Sequence, residues 1–72
     1  MKVVGTIDIR PDEHIKVSLK EFKGNEYVDM RIYFESDEDY IELPSKKGLT
    51  IKREFLPELI TLLQKANDEE KI

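Results

Sequence analysis

The tetrapeptide Lys23-Gly24-Asn25-Glu26 separates two runs in which apolar residues occupy every second position. Ile15, Val17 and Leu19 alternate with Lys16, Ser18 and Lys20, and Val28, Met30, Ile32 and Phe34 share one parity of the run Tyr27 to Phe34. A period of two places such residues on one side of a strand. Gly24-Asn25 reads as a two-residue hairpin turn, because both residue types tolerate positive φ. Centring the turn there makes opposed residues sum to 49 (24 + 25) and pairs Ile15 with Phe34, Val17 with Ile32 and Leu19 with Met30. That side is the expected core. The reverse side pairs Phe22 with Tyr27, Lys20 with Asp29, Ser18 with Arg31 and Lys16 with Tyr33. It mixes rings and cations where a sheet shielding one side ordinarily carries plain polar residues.

The flanking segments extend the pattern. Val3, Gly5, Ile7 and Ile9 predict a first strand over Lys2 to Ile9, ended by Pro11-Asp12. After the acidic turn Ser36 to Asp39, Ile41 and Leu43 predict a short fourth strand, stopped by Pro44, which has no amide to donate. Ser45-Lys46-Lys47-Gly48 then reads as a basic turn. Phe55, Leu59, Leu62, Leu63 and Ala66 follow a 3.6-residue period and predict a helix from Phe55 to Ala66, with Pro57 discordant inside it. The expected architecture is α+β: a curved four-stranded antiparallel sheet followed by one C-terminal helix, in one domain over 1–66, with a polar acidic tail at 67–72.

Size sets a further demand. A chain of 72 residues hides only about 60% of its unfolded surface, and the apolar gain at ~25 cal/mol/Å² is about the size of the entropy cost. There is no cysteine and one histidine, His14, so neither disulfides nor an imidazole cluster can supply the deficit. Leu56 and Ile60 widen the helix stripe beyond what one sheet needs. Two helices meeting about a two-fold axis, in a homodimer joined through helix and sheet, would join two half-cores.

Charge is segregated. Glu35, Asp37, Glu38, Asp39 and Glu42 precede a segment, 46 to 53, that holds Lys46, Lys47, Lys52 and Arg53 and no acid. The net charge of −4 argues weakly against a nucleic-acid partner. With a Debye length of about 8 Å, however, the patches act separately. Phe22, Tyr27 and Tyr33 are the rings on the outer side, and Lys16, Lys20, Lys23, Arg31, Lys46 and Lys47 are the cations around them. Aromatic faces that stack unpaired bases, and cations that track phosphates, bind single strands without reading sequence. The bland alternatives are rings packed under lysine stems and a Lys20–Asp29 surface pair. No nucleophile, base and orienting acid come together, so no enzyme activity and no cofactor are expected, and the acidic turn lacks the glycine and spacing of a calcium loop. No apolar run approaches the roughly 20 residues of a membrane helix, and no signal-peptide pattern opens the chain. A cytoplasmic, nucleoid-associated protein is expected.

Phe22-Lys23-Gly24, then Asp29-Met30-Arg31 with Tyr33-Phe34, then Pro44 with Lys46-Lys47-Gly48-Leu49, resembles the transcriptional positive-cofactor coactivator family and its small bacterial relatives over about residues 15 to 63. The resemblance implies a β-β-β-β-α protomer, a two-fold dimer, sequence-tolerant binding of single-stranded DNA, and a role in transcription, replication or repair. It implies stacking positions at Phe22 and Phe34, phosphate or base contacts at Lys23 and Arg31, a contact at Lys47, and Gly24 in the loop between. Asn25 stands where the family often has lysine, and Phe34 where it often has tryptophan, which implies weaker binding. Parity sets Phe34 on the core side, against the resemblance. RNA is the nearer alternative ligand. A dimeric module that contacts a transcription or replication protein without nucleic acid is the other alternative.

Overall fold

The computed structural model describes residues 1–36 and 42–70, so most of the acidic segment, 37–41, lies outside the described residues. Four strands, β1 (Lys2–Arg10), β2 (Glu13–Phe22), β3 (Asn25–Glu35) and β4 (Glu42–Lys52), precede a short 3-10 turn, Arg53–Phe55, and a helix, α1 (Leu56–Asp68). The strands form one open antiparallel sheet in the order β1-β2-β3-β4. The α+β architecture is that expected, and Pro11-Asp12 does make the first turn.

The central hairpin is shifted. β2 and β3 pair with Phe22 opposite Asn25, Leu19 opposite Val28, Val17 opposite Met30 and Ile15 opposite Ile32, a sum of 47 (22 + 25) rather than 49. The two loop residues are therefore Lys23 and Gly24, with φ of 51° and 78°. A loop with positive φ at both positions favours glycine second, which places Gly24 after Lys23 rather than before Asn25. Both registers give three apolar pairs, so the pattern of apolar residues does not separate them. Because the slip is two residues, each side chain keeps its expected face.

β4 departs further from expectation. It is neither short nor ended by Pro44, which pairs with Tyr33, and the supposed basic turn Ser45–Gly48 lies within it. As β4 is an edge strand, Pro44 costs no ladder bond on its open side. Arg31 pairs with Gly48 and Tyr33 with Pro44, so extra residues of β4 are absorbed in a bulge. Ser45 holds that bulge. Its hydroxyl donates to the Ile32 carbonyl (2.7 Å) and accepts the Lys47 N–H (3.1 Å). Gly48 is demanded by contact: a Cβ there would lie 2.7 Å from the Arg31 Cα.

The helix begins one residue later than expected and ends two residues later, so Asn67 and Asp68 of the expected tail are helical. Pro57 falls in its first turn, where no intrahelical amide is lost, which removes the discordance. Leu59 and Leu63 face Ile15, Met30, Ile32 and Leu49 across an open groove of about 380 Å³. Helix and sheet line this groove without closing it. Among the described residues Val28 is the buried apolar side chain, and the other two buried residues, Ser18 and Asp29, lie on the opposite side of the sheet.

Candidate nucleic-acid interface

Pairing fixes which side chains share the side away from the helix. Lys16 lies opposite Arg31, Ser18 opposite Asp29, Lys20 opposite Tyr27 and His14 opposite Tyr33. On β4, Lys52 joins Tyr27 and Thr50 joins Asp29. Thus Lys16, Lys20, Phe22, Tyr27, Arg31 and Tyr33 occupy one face, as expected. Their partners are corrected by the shifted register: Tyr27 faces Lys20 rather than Phe22, and Arg31 faces Lys16 rather than Ser18.

Three clusters make up this face. At the hairpin end, Lys20, Glu21, Phe22, Tyr27 and Thr50 line a cleft of about 360 Å³. Phe22 is 62% exposed, and the Lys23 ammonium lies 5.3 Å from its ring centroid, within cation–π range. This juxtaposition of two rings and two lysines offers a flat apolar body and positive charge together.

At the centre Asp29, 1% exposed, accepts Thr50 Oγ1 at 2.6 Å and Arg31 Nη2 at 3.2 Å on one oxygen, with Lys20 Nζ 3.8 Å from the other. Arg31 Nη1 donates to the Ser45 carbonyl at 3.1 Å, so the guanidinium is held at both ends of its fork. Burial pushes the Asp29 carboxyl up. The hydrogen bonds from Thr50 and Arg31, with the charges of Lys20 and Arg31, outweigh burial and hold it below the ordinary carboxylate value.

At the far end Glu42 binds both Lys16 and His14, the latter through Nε2 at 3.0 Å. The Lys16 ammonium sits 4.3 Å from the centroid of Tyr33, whose ring runs nearly parallel to His14 at 6.0 Å. Tyr33 is therefore engaged by its own neighbours rather than offered freely, unlike Phe22.

Two expected positions lie elsewhere. Phe34 pairs with Glu13 and Leu43 on the helix side, the side that parity predicts, and is partly exposed there. No bulge in the β2–β3 ladder carries Phe34 across. Lys47 lines the helix-side groove with Gly48 and Leu49, because β4 runs through it as a strand. Sequence reasoning passed over Thr50 and Ser45 and gave Asp29 only a surface pairing. Extending β4 past Pro44 would have set Thr50 against Asp29.

The comparisons with known proteins agree with this fold. Residues 7–62 match the family described as transcriptional coactivator p15 (PC4). No curated protein matches the chain. Among solved structures, the chain is similar to a PC4 homologue from Burkholderia pseudomallei. In an orthorhombic crystal form the two are 28% identical, with a TM-score of 0.84 over 96% of this chain and 92% of that one. In a tetragonal form the identity is 27%, with a TM-score of 0.81 over 92% and 96%. A bacteriophage T5 homologue of the eukaryotic coactivator, implicated in recombination-dependent DNA replication, shares the fold at 21% identity and a TM-score of 0.69, over 86% of this chain and 74% of that one. With the family match running from the second half of β1 to the middle of α1, over well more than half of the chain, this chain belongs to the transcriptional coactivator p15 (PC4) family.

Proposed function

We propose that two copies of this chain, joined through α1 and the helix side of the sheet, bind single-stranded DNA on the opposite side, in transcription, replication or repair. The observation that carries this reading is the cleft between Phe22 and Tyr27, where exposed ring surface meets Lys20 and Lys23. Unpaired bases stack on such rings at about 1–3 kcal/mol per base, whereas a duplex keeps its bases inside the stack. The homodimer is supported by the open apolar groove and by exposed Phe55, Ile60, Leu62 and Leu63. No described helix is long and apolar enough to cross a membrane, and the protein acts in the cytoplasm, at the nucleoid.

Three net cations are available per protomer: Lys23, Lys46, and the one charge left among Lys20, Arg31 and Asp29. The logarithm of affinity should then fall with the logarithm of salt at a slope of about −2 per protomer. Fluorescence anisotropy with labelled single strands, duplexes and RNA of equal length, at several salt concentrations, tests this. Tighter binding of single-stranded DNA than duplex, with that slope, supports the proposal. Equal binding of both or a flat slope overturns it, and a clear preference for RNA moves the function to that ligand.

A further inference from the structure

At the centre of the strand-facing surface lies a carboxylate, where a surface for phosphates would ordinarily exclude one. Asp29 is almost wholly buried, and its Oδ2, like Ser18 Oγ directly across the strands, has no hydrogen-bond partner among the described residues. A buried charge is costly unless paired, so its retention points to its neighbours. Those neighbours are two cations of the hairpin's outer side, Lys20 and Arg31, together with the Thr50 hydroxyl that orients Oδ1.

Building on the strand-binding reading above, we propose that Asp29 is a positioning residue of the nucleic-acid face, pinning Arg31 between itself and the Ser45 carbonyl and holding Lys20 beside the Phe22–Tyr27 cleft. The guanidinium is then a fixed fork. Two of its five N–H groups are spent on Ser45 and Asp29, and the others are presented in one plane to the acceptors of an unstacked nucleotide. Asp29 also cancels one of the two positive charges. That reduces attraction to any phosphate backbone, including that of duplex DNA, while the fixed donors retain their direction. The trio thereby gives up general affinity for preference between melted and paired strands.

Asp29→Asn keeps the shape and removes the charge. The trio then carries two net positive charges instead of one, so the salt slope for a labelled single strand should steepen by about 0.7 per protomer. The preference for single strand over duplex should fall at least fivefold. A carboxylate that merely supports the fold would change the melting temperature and leave the slope of the folded protein unchanged, and that result overturns the proposal. Should Asp29→Asn not fold, exposed Thr50 provides the second variant. Thr50→Val removes the donor that orients the carboxylate and should weaken single-strand binding about fivefold, with Thr50→Ser restoring it; undiminished binding by Thr50→Val overturns the proposal. If the unsubstituted protein binds no single strand, the function proposed above fails and this inference with it. Binding that persists with an unmoved slope in Asp29→Asn refutes the inference alone.

Discussion

The two sides of the sheet solve opposite problems. On the strand-facing side, Lys20, Asp29, Arg31, Thr50 and Ser45 draw together charges and hydrogen bonds from three strands, so that a buried carboxylate is accommodated within one chain. On the helix side, Ile15, Met30, Ile32 and Leu49 face Leu59 and Leu63 across a groove that remains open. Hydrogen bonds are local and directional, so a few residues can satisfy one another. Apolar burial scales with area, and a 72-residue chain has too little interior to supply it. The polar side therefore engages most of its groups within one protomer, whereas the apolar side is left open, as the proposed two-fold interface requires.

The largest effect expected from this contrast lies on the helix side. Leu63→Asp places a charge in the groove and removes apolar burial from both halves of a two-fold interface, where each buried leucine contributes about 1.5–3 kcal/mol. We expect the dimer dissociation constant to rise at least 100-fold, read by sedimentation at micromolar concentration, with concentration-dependent melting lost. A variant that sediments and melts as the unsubstituted protein does would show that the groove is not the joining surface.

Smaller, and confined to the other side, is the effect of Phe22→Ala. Exposed Phe22 contributes little to folding, so the melting temperature should stay within about 3 °C, since surface substitutions change stability by about 0.5 kcal/mol or less. Single-strand affinity should fall by about 1–3 kcal/mol, roughly five- to 150-fold. Tyr33→Ala should cost less, because Lys16 and His14 already engage that ring. Equal losses at the two rings would contradict the assignment of the hairpin end as the stacking site.

Acid should affect the strand-facing side specifically. The Asp29 carboxyl is held below its ordinary value, so its contribution to stability is present above the unfolded-state value near 3.8 and is lost as pH falls through the lower folded-state value. Urea melts between pH 6 and pH 3 should therefore show a steeper loss of stability in the unsubstituted protein than in Asp29→Asn. Parallel curves would remove Asp29 as a source of acid sensitivity.

These expectations rest unevenly on what the residues alone reveal. Which side chains share a face was legible, because alternation fixes parity and the hairpin slip of two residues leaves parity intact. Phe34 shows the strength of that logic: parity placed it on the helix side, and there it lies. What was not legible is long-range. Pro44 reads locally as a strand end and is tolerated because β4 has an open edge, a property of sheet order rather than of residues 42–48. Once β4 was cut short, Thr50 and Ser45 lost their partners on β3, and the centre of the candidate site disappeared with them. Lys47 was placed with the other cations for the same reason, because a turn leaves a lysine free to reach either side and a strand does not.

The smallest expected effect separates folding from binding at one residue. Lys23 takes φ of 51° as the first residue of the Lys23-Gly24 turn, a conformation that costs an ordinary L-residue about 1–2 kcal/mol and that asparagine accepts more readily. Lys23→Asn should therefore raise stability by about 0.5–1 kcal/mol, or roughly 3–6 °C in melting temperature. It also removes the ammonium over Phe22, so the salt slope for single strands should become shallower by about 0.7 per protomer. Stability and binding thus move in opposite directions. If both fell, the turn would not be the positive-φ pair described, and if the slope stayed fixed, Lys23 would be steadying the Phe22 ring rather than meeting phosphate. The expected split would show that lysine is retained at a strained position for what it contacts rather than for how it folds.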